Sequence, residues 1–395
     1  MFEYFPTGPY TWNLSVVATL NSGGLIDEVD RACRPIKDAA NAGEDAGTGD
    51  FLRAWTALTD QLVGQAEEAE KAGHVRTAGQ LYFRASNYLA QAERMLAHSD
   101  PNRVPTYRRM LEIAQKAFDL HSPRVSRVEV PYEGTTLPAY FSQAPATDDG
   151  PAPVIVLVNG LDSTKEHMYA SNHWEELAAR GISCLMLDQP GTGEALRLQG
   201  ITARIDTEAW AGAAVDYLET RDDVDATRIG IVGWSLGGYY APRAAAFEKR
   251  FALCVAWGAN HDWGAVQRRR KEREGERPVP HYWSHVLWVW GFDDAAGDGD
   301  IVPDAFLDFA DDVNLEGVVE QITVPFLIAH GANDRQIPLA MAHRSYEQAV
   351  NSPKRELRVF TPEEGATEHI GLDHLPHVST FVADWVADTF AELKG

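Results

Sequence analysis

The sequence predicts an α/β fold, with a mostly parallel sheet flanked by helices and an all-α domain in front of it. Residues 1–122 show helical periodicity and no convincing strand pattern. Residues 123–395 instead alternate short apolar runs with helical stretches. Continuous apolar runs are typical of parallel strands buried on both faces. A chain of 395 residues is also long enough for two domains, each with its own core.

In the N-terminal domain, apolar residues three and four positions apart predict four helices. They cover residues 25–40, 50–72, 76–97 and 105–120. The opening segment, residues 2–12, is rich in aromatic side chains. We therefore expect this segment to pack onto a groove or a second subunit, and the four helices to form a bundle.

In the second domain, an alternating pattern around Gly134 predicts an antiparallel pair of strands. Six further strands are expected from apolar runs. The eight predicted strands cover residues 128–132, 137–141, 154–158, 184–187, 229–232, 253–257, 326–329 and 357–360.

A lid-like insertion is predicted at about residues 260–322, because this stretch is too long for a plain crossover. Its charged run, residues 268–277, is typical of a solvated helix face. Trp283 and Trp288 are candidates for lining a substrate pocket, with packing against the core as the alternative.

Charge and composition restrict the class of ligand. A formal net charge of -23 argues against nucleic acid and against an anionic membrane, and favours a small neutral or apolar molecule. No apolar run approaches membrane-spanning length, and residues 1–4 lack the features of a signal peptide, so a cytoplasmic location is expected. Cys33, Cys184 and Cys254 are expected to be buried thiols. Their spacing indicates no metal site, and neither a metal nor a cofactor is expected.

Gly233-Trp234-Ser235-Leu236-Gly237 lies between an apolar run and an alanine-rich helical stretch. A strand that turns sharply into a helix holds its serine in a strained, exposed position, and the two glycines leave room for that turn. The pattern therefore predicts Ser235 as a nucleophile, with the N–H of Leu236 as one oxyanion donor.

A serine nucleophile needs a base and an acid that orients the base. Asp334 follows the strand at 326–329 and is the leading acid candidate, while Asp262, after the strand at 253–257, is the alternative. His369 follows the strand at 357–360 and is the leading base, with His374 and His377 as alternatives. The order serine, aspartate, histidine is typical of hydrolases that carry each group at the end of a strand.

The loop at residues 159–166 should supply the second oxyanion donor. Gly160 permits close approach of the backbone, so the N–H of Leu161 is the candidate. Asp162, Lys165 and Glu166 are candidates for substrate binding or for bracing this loop by ion pairs. His261, beside Asp262, is a further candidate for substrate binding.

Three segments carry a family resemblance. Asn-Gly-Leu-Asp-Ser-Thr-Lys-Glu at 159–166, Gly-Trp-Ser-Leu-Gly-Gly at 233–238 and Glu368-His369 follow a helical N-terminal region. Together they resemble the 2,6-dihydroxypseudooxynicotine hydrolase family of α/β-hydrolases. The resemblance implies an α/β-hydrolase core, a helical cap, a pocket between them and a homodimer. The nucleophile, acid and base of the family correspond to Ser235, Asp334 and His369.

The resemblance also implies a reaction class. The family includes cleavage of a carbon-carbon bond beside an aryl ketone, and relatives act on polyketide-derived substrates. We therefore expect a serine hydrolase that acts on a carbonyl of a bulky small molecule and cleaves an ester, a lactone or a carbon-carbon bond. The alternative is a binding protein that has kept the fold and lost the chemistry, which labelling of Ser235 by a fluorophosphonate would distinguish.

Overall fold

The computed structural model describes residues 2–43, 49–121, 124–145, 150–274, 280–292 and 302–394. Only helices occur in the described residues up to His121, and the first strand begins at Val125. The predicted domain boundary at residues 122 and 123 lies outside the described ranges. Residues 275–279 and 293–301 of the predicted insertion also lie outside them.

The eight strands of the described residues form one sheet in the order β1-β2-β4-β3-β5-β6-β7-β8. β1 pairs with β2 and β2 with β4 in antiparallel fashion, and the other neighbours are parallel. The strands are β1 Val125–Tyr132, β2 Thr135–Ser142, β3 Ala152–Val158, β4 Ser183–Leu187, β5 Val224–Trp234, β6 Phe251–Trp257, β7 Phe326–Gly331 and β8 Arg355–Phe360. The predicted fold class and the eight predicted strands are confirmed, with shifted ends.

The central strands are buried on both faces. In β3, Val154 and Val156 belong to the apolar core on one face of the sheet, and Ile155 and Leu157 to the core on the other. All four are fully buried. Each such side chain contributes about 1.5–3 kcal/mol of burial free energy. This two-sided packing fixes the carboxyl ends of the parallel strands, where the predicted site residues lie.

In the described residues up to His121, six α-helices precede the sheet. They are α1 Tyr10–Asn21, α2 Ile26–Cys33, α3 Lys37–Asn41, α4 Gly49–Lys71, α5 Val75–Arg94 and α6 Arg103–His121. The helix expected at 25–40 is interrupted by a 3₁₀ turn at Arg34–Ile36, because Pro35 has no N–H to continue an α-helical ladder. The first helix, α1, was missing from the sequence-based prediction.

The opening aromatic segment packs inside this group of helices. Phe5, Trp12, Phe51, Trp55 and Tyr88 form a continuous series of ring contacts, with successive centroids 5.5, 5.0, 5.8 and 5.8 Å apart. The series runs from the N-terminal segment through α1 and α4 to α5. The segment therefore fills a groove between helices of its own chain.

From Val125 onward, the described ranges contain ten α-helices that flank or connect the strands. They are α7 Lys165–Ala170, α8 His173–Ala178, α9 Gly193–Arg197, α10 Glu208–Glu219, α11 Gly237–Phe247, α12 Trp263–Glu274, α13 Pro280–Val289, α14 Asp304–Asp311, α15 Leu339–Gln348 and α16 Leu375–Lys394. Three of them, α12 to α14, lie between β6 and β7. Among the helices of the described ranges, none has both the length and the apolarity needed to cross a membrane. The three cysteines are buried and free, as predicted.

Candidate active site

Ser235 occupies the turn between β5 and α11 with a φ of 55°. Glycine is required on both sides of it. A Cβ on Gly233 would lie 2.0 Å from the Gly237 carbonyl oxygen, and one on Gly238 would lie 2.1 Å from that of Gly258. Left-handed backbone is costly for a non-glycine residue and persists only where the surroundings enforce it. The turn thus holds the serine hydroxyl out from the sheet.

Ser235, His369 and Asp334 form a row of hydrogen bonds. His369 Nδ1 lies 2.9 Å from Asp334 Oδ2, and His369 Nε2 lies 2.8 Å from Ser235 Oγ. A carboxylate only accepts hydrogen bonds, so Nδ1 carries the proton and Nε2 accepts from the serine hydroxyl. This is the arrangement that a serine needs if a histidine is to remove its proton.

The Asp334 carboxylate is completely buried and held in place. Its Oδ1 accepts hydrogen bonds from the N–H groups of Gln336 and Ile337, at 2.8 and 2.9 Å. Burial alone would raise the pKa of this carboxyl. The charge and hydrogen bond of His369 outweigh that effect, and the pKa lies below its ordinary value. Asp334 therefore stays ionised and orients the imidazole.

The loop that carries His369 is packed tightly against the end of β7. A Cβ on Gly331 would lie 2.3 Å from the Thr367 carbonyl oxygen. Ala366 and Ile370 have positive φ values of 62° and 49°. The Ile370 carbonyl accepts a hydrogen bond of 2.8 Å from Trp257 Nε1 at the end of β6. Close packing and backbone strain together fix the histidine relative to the serine.

The alternative acid is engaged elsewhere. Asp262 Oδ1 accepts a hydrogen bond of 2.9 Å from the N–H of Ala265 in the first turn of α12. His261, its neighbour, is buried and lies 2.9 Å from Ser345 Oγ through Nδ1. Neither residue is among the described residues that line the cavity at Ser235. The structure thus separates both of these candidates from the site.

The alternative bases also point elsewhere. The rings of His374 and His377 pack against each other at 5.3 Å, and His377 also packs against Phe360 at 5.3 Å. His330 is buried at the end of β7, and its Nε2 donates to the Ile337 carbonyl at 3.0 Å. Of the histidines considered from the sequence, His369 is the one that the structure brings to Ser235.

The predicted oxyanion donors flank Ser235. Gly160 lies so close that a Cβ on it would be 2.9 Å from Ser235 Cβ. This contact brings the peptide before Leu161 next to the serine, and Leu236 follows the serine directly. Among the described residues, neither the Leu161 nor the Leu236 amide N–H donates a hydrogen bond. Both donors are therefore available to a substrate oxygen.

A cavity of about 700 Å³ opens above Ser235. One side, which we call the strand-end wall, consists of lining residues at 160–163, 234–236 and 369–370. The opposite side, which we call the helical wall, is formed by α1, α5, α12 and α13. The side chains of the helical wall include Tyr10, Thr11, Leu14, Ala18, Gln91, Arg94, Met95, Trp263, Val266, Arg270, His281, Tyr282 and His285.

Comparison with known proteins identifies the family. Residues 155–389 match the model of the alpha/beta hydrolase family, and these residues make up more than half of the chain. The chain belongs to the α/β-hydrolase family. Its relatives include the 2,6-dihydropseudooxynicotine hydrolase of Paenarthrobacter nicotinovorans, 29% identical over 86% of this chain and 84% of the relative. The hydrolase acrC of Aspergillus aculeatus is 31% identical over 68% of this chain and 66% of the relative.

Solved structures show the same fold. The crystal structure of the 2,6-dihydroxy-pseudo-oxynicotine hydrolase superposes with a TM-score of 0.73 at 24% identity. That superposition covers 94% of this chain and 95% of the other, so it includes the N-terminal helices. The family resemblance predicted from residues 159–166 and 233–238 is confirmed.

The two tryptophans expected at the pocket of this α/β-hydrolase lie in its core instead. The indole N–H of Trp283 donates to Glu274 Oε2 at 2.7 Å, and the ring of Trp288 stacks on His98 at 4.4 Å. Both are buried, and neither is among the described lining residues. Their neighbours Tyr282 and His285 line the cavity. Trp283 points about 100° around α13 from Tyr282, and Trp288 lies one helical turn beyond His285, whose ring it contacts at 5.9 Å.

Asp162 joins the two walls of the cavity. Its Oδ2 lies 2.7 Å from Nε of Arg94 on α5. Burial would raise the pKa of Asp162, but Arg94 lowers it below the ordinary value. Both residues line the cavity. Asp162 thus braces the loop against the helical wall while remaining next to any bound substrate.

Lys165 and Glu166 hold the same loop in place through buried ion pairs. The fully buried Lys165 ammonium lies 2.7 Å from Glu166, 2.9 Å from Asp188 and 2.5 Å from Glu194. The three carboxylates are close enough together to hold a metal ion, but the ammonium already bonds to all of them and supplies the compensating charge. Neither Lys165 nor Glu166 is among the described cavity-lining residues. Their contacts favour the bracing role over substrate binding.

A second buried network, which the sequence did not reveal, reaches the oxyanion loop from the helical wall. Glu93 Oε1 accepts from Arg103 at 2.9 Å and from Arg197 at 2.7 Å. Arg103 Nη2 donates to His285 Nδ1 at 3.0 Å, so His285 Nε2 donates to the Leu161 carbonyl at 3.2 Å. Burial and Arg103 lower the pKa of His285 well below its usual value. The neutral imidazole thus links the N-terminal helices to the loop.

Proposed function

We propose that this α/β-hydrolase is a serine hydrolase that attacks a carbonyl group of a bulky, aromatic or polyketide-like small molecule. The observation that carries the proposal is the row of hydrogen bonds from Ser235 through His369 to Asp334, with distances of 2.8 and 2.9 Å. The row lies at the edge of a cavity of about 700 Å³. Cavities of about 300–1,000 Å³ are typical of small-molecule sites.

The proposed reaction begins when Ser235 Oγ attacks the carbonyl carbon and His369 Nε2 takes the hydroxyl proton. Asp334 stabilises the imidazolium that forms. The N–H groups of Leu161 and Leu236 donate to the oxyanion, each contributing about 10²–10³ in rate. His369 then returns the proton to the leaving oxygen or carbon as its bond to the carbonyl breaks. Water, activated by the same histidine, releases the acyl group from Ser235.

The lining of the cavity supports a bulky substrate with aromatic character. Tyr10, Trp234, Trp263 and Tyr282 line the cavity, and aromatic side chains favour flat, apolar ligands. The bond cleaved is an ester, a lactone or a carbon-carbon bond next to an aryl ketone. The last of these follows from the family resemblance.

The test combines labelling with turnover. Fluorophosphonate should label the wild-type protein and the Ser22→Ala variant, because Ser22 also lines the cavity but is not part of the hydrogen-bonded row. The Ser235→Ala variant should not be labelled, and its kcat on any substrate found among aryl esters, lactones and hydroxylated aryl ketones should fall at least about 10³-fold. Full turnover by Ser235→Ala would refute the mechanism.

The same experiment separates the enzyme from a catalytically silent binding protein. A protein that keeps the fold without the chemistry should resist labelling while still folded, as judged by circular dichroism. Labelling at Ser235 but not in a Ser235→Ala control would exclude that alternative.

A further inference from the structure

Next to the catalytic cavity lies a second depression of about 580 Å³, which we call the vestibule. Its lining includes Arg269, Arg270, Arg273, Arg335, Asp334 and Glu368. Three of these arginines, Arg270, Arg273 and Arg335, also line the catalytic cavity. The two spaces therefore share arginine side chains at their common boundary.

The basic residues of α12 fall into two groups. On one side, Arg268 pairs with Asp311 and with Asp308 at 3.2 Å, and Lys271 pairs with Asp304 at 3.3 Å. On the vestibule side, Arg269 and Arg273 are one helical turn apart. Within the described ranges, neither of these two has a carboxylate partner. Acidic residues of the described ranges thus neutralise Arg268 and Lys271, which lie outside the vestibule lining, but not Arg269 and Arg273.

The other two arginines are held in fixed positions. The Arg270 guanidinium lies 3.7 Å from the centre of the Tyr282 ring, with Nη1 3.3 Å from Glu274 Oε1. Arg335 lies 4.2 Å from the centre of the Tyr10 ring and pairs with Glu368 at 3.1 Å. Stacking on an aromatic ring orients a guanidinium group.

The acidic residues of the vestibule do not balance these four arginines. Asp334 is committed to His369 and two backbone N–H groups, and Glu368 is paired with Arg335. The vestibule is therefore locally positive in a chain whose formal net charge is -23. Charges farther away than about 8–10 Å are largely screened at physiological salt, so the arginines dominate the local field.

We propose that the vestibule binds an anionic group of the substrate, of the carboxylate type, while the reacting carbonyl lies at Ser235. Guanidinium groups recognise carboxylates through paired, charge-assisted hydrogen bonds. This inference rests on the proposed hydrolase function and narrows its substrate to acids with an apolar or aromatic body. It replaces the expectation from net charge that the ligand is neutral.

The test compares two esters that differ in charge. One is the 4-nitrophenyl monoester of glutaric acid, which has a free carboxylate, and the other is the same molecule with that carboxylate converted to a neutral methyl ester. In the double variant Arg269→Gln/Arg273→Gln, kcat/KM for the anionic ester should fall about five- to tenfold, and that for the neutral ester should change less than about twofold. Salt at about 0.5 M should lower the wild-type preference for the anionic ester and have little effect on the double variant. The matched control is Arg268→Gln on the opposite side of α12, which should behave as wild type.

Several results would overturn the inference. The first is an equal fall in kcat/KM for both esters in the double variant. The second is that Arg268→Gln lowers kcat/KM for the anionic ester as much as the double variant does. The third is an unchanged kcat/KM for the anionic ester in the double variant. If the wild type hydrolyses neither ester, fluorophosphonate labelling of Ser235 decides whether the proposed function holds, and calorimetry tests the vestibule directly. In that case 4-phenylbutanoate should bind the wild type at least about fivefold more tightly than the double variant, whereas equal affinity would refute the anion site.

Discussion

The strand-end wall of the cavity carries its polar side chains on backbone that the sheet and close packing fix, whereas the helical wall is assembled from four separate helices. At the strand-end wall, Ser235 and Ile370 have strained backbone, and Gly160 packs within contact distance of the serine. On the helical wall, the side chains are held by contacts between different elements, such as Arg94 with Asp162 and Arg270 with Glu274 and the Tyr282 ring. The first wall is preorganised by its backbone, and the second is assembled from side-chain contacts.

The difference suggests a division of tasks. Groups that act on the reacting atoms must be positioned to within a fraction of an ångström, which suits rigid strand ends. Groups that select the substrate need only form a surface of the right shape and charge, and helices can provide it. Changes at the strand-end wall should therefore lower kcat for every substrate, and changes at the helical wall should alter KM for some substrates only.

The largest effect is expected for Asp334→Asn. The asparagine lacks the charge that stabilises the imidazolium, and its amide group can favour the wrong tautomer of His369, so kcat should fall about 10⁴-fold on every substrate. Steady-state kinetics with one small and one bulky ester would measure it. The matched control is Asp262→Asn, the acid that the sequence left open, and it should change kcat less than about threefold. A large loss in the control with little loss in Asp334→Asn would reverse the assignment.

Much of the strand-end wall could be predicted from sequence because Ser235 and Asp334 follow strands that are buried on both faces, and such strands appear as unbroken apolar runs. His369 lies nine residues beyond the end of β8, a partly exposed edge strand, and was found instead from the order serine, aspartate, histidine. Asp262 also follows a strand, so position alone could not exclude it. Only the capping hydrogen bond to Ala265 shows where this side chain is used.

The helical wall was less predictable for a physical reason. In α1, Asn13, Ser15 and Thr19 are buried together with the apolar residues, so the helix shows no polar face in its sequence. Asn13 satisfies its amide by hydrogen bonds of 2.9 Å to the N–H and carbonyl of Phe5. The composition of α13 likewise does not show which of its side chains face the cavity. For this reason Trp283 was expected at the cavity where Tyr282 lies.

An intermediate effect is expected on stability at acidic pH, and it concerns the core beneath the strand-end wall. His173 is completely buried, its Nδ1 lies 2.8 Å from Ser379 Oγ, and its ring packs on Trp257 at 5.2 Å. Burial, with a smaller contribution from Arg180, lowers the pKa of His173 to about 3. The unfolded chain binds a proton at this histidine near pH 6.5, but the folded chain does not until much lower pH.

Because the unfolded state binds more protons in this window, stability must fall as the pH falls from about 6.5 toward 3. The loss at His173 is about 1.4 kcal/mol per pH unit over most of that window. Urea titrations at several pH values would measure it. In a His173→Gln variant, the free energy of unfolding should fall less steeply as the pH is lowered. Replacement of the exposed His74 by glutamine should leave the slope unchanged. Equal slopes in both variants would show that His173 is not responsible.

The smallest effect is expected for Ala18→Leu, which tests the helical wall directly. Ala18 is buried on α1 and lines the cavity, so a leucine would project into the space that a bulky substrate needs. KM for a naphthyl ester should rise about tenfold, while kcat and the kinetics of 4-nitrophenyl acetate should stay near wild type. The size-matched control is Ala72→Leu, an exposed position beyond the end of α4. If kcat for both esters fell equally in Ala18→Leu, the helical wall would take part in positioning the reacting groups, and the two walls would not divide their tasks as proposed.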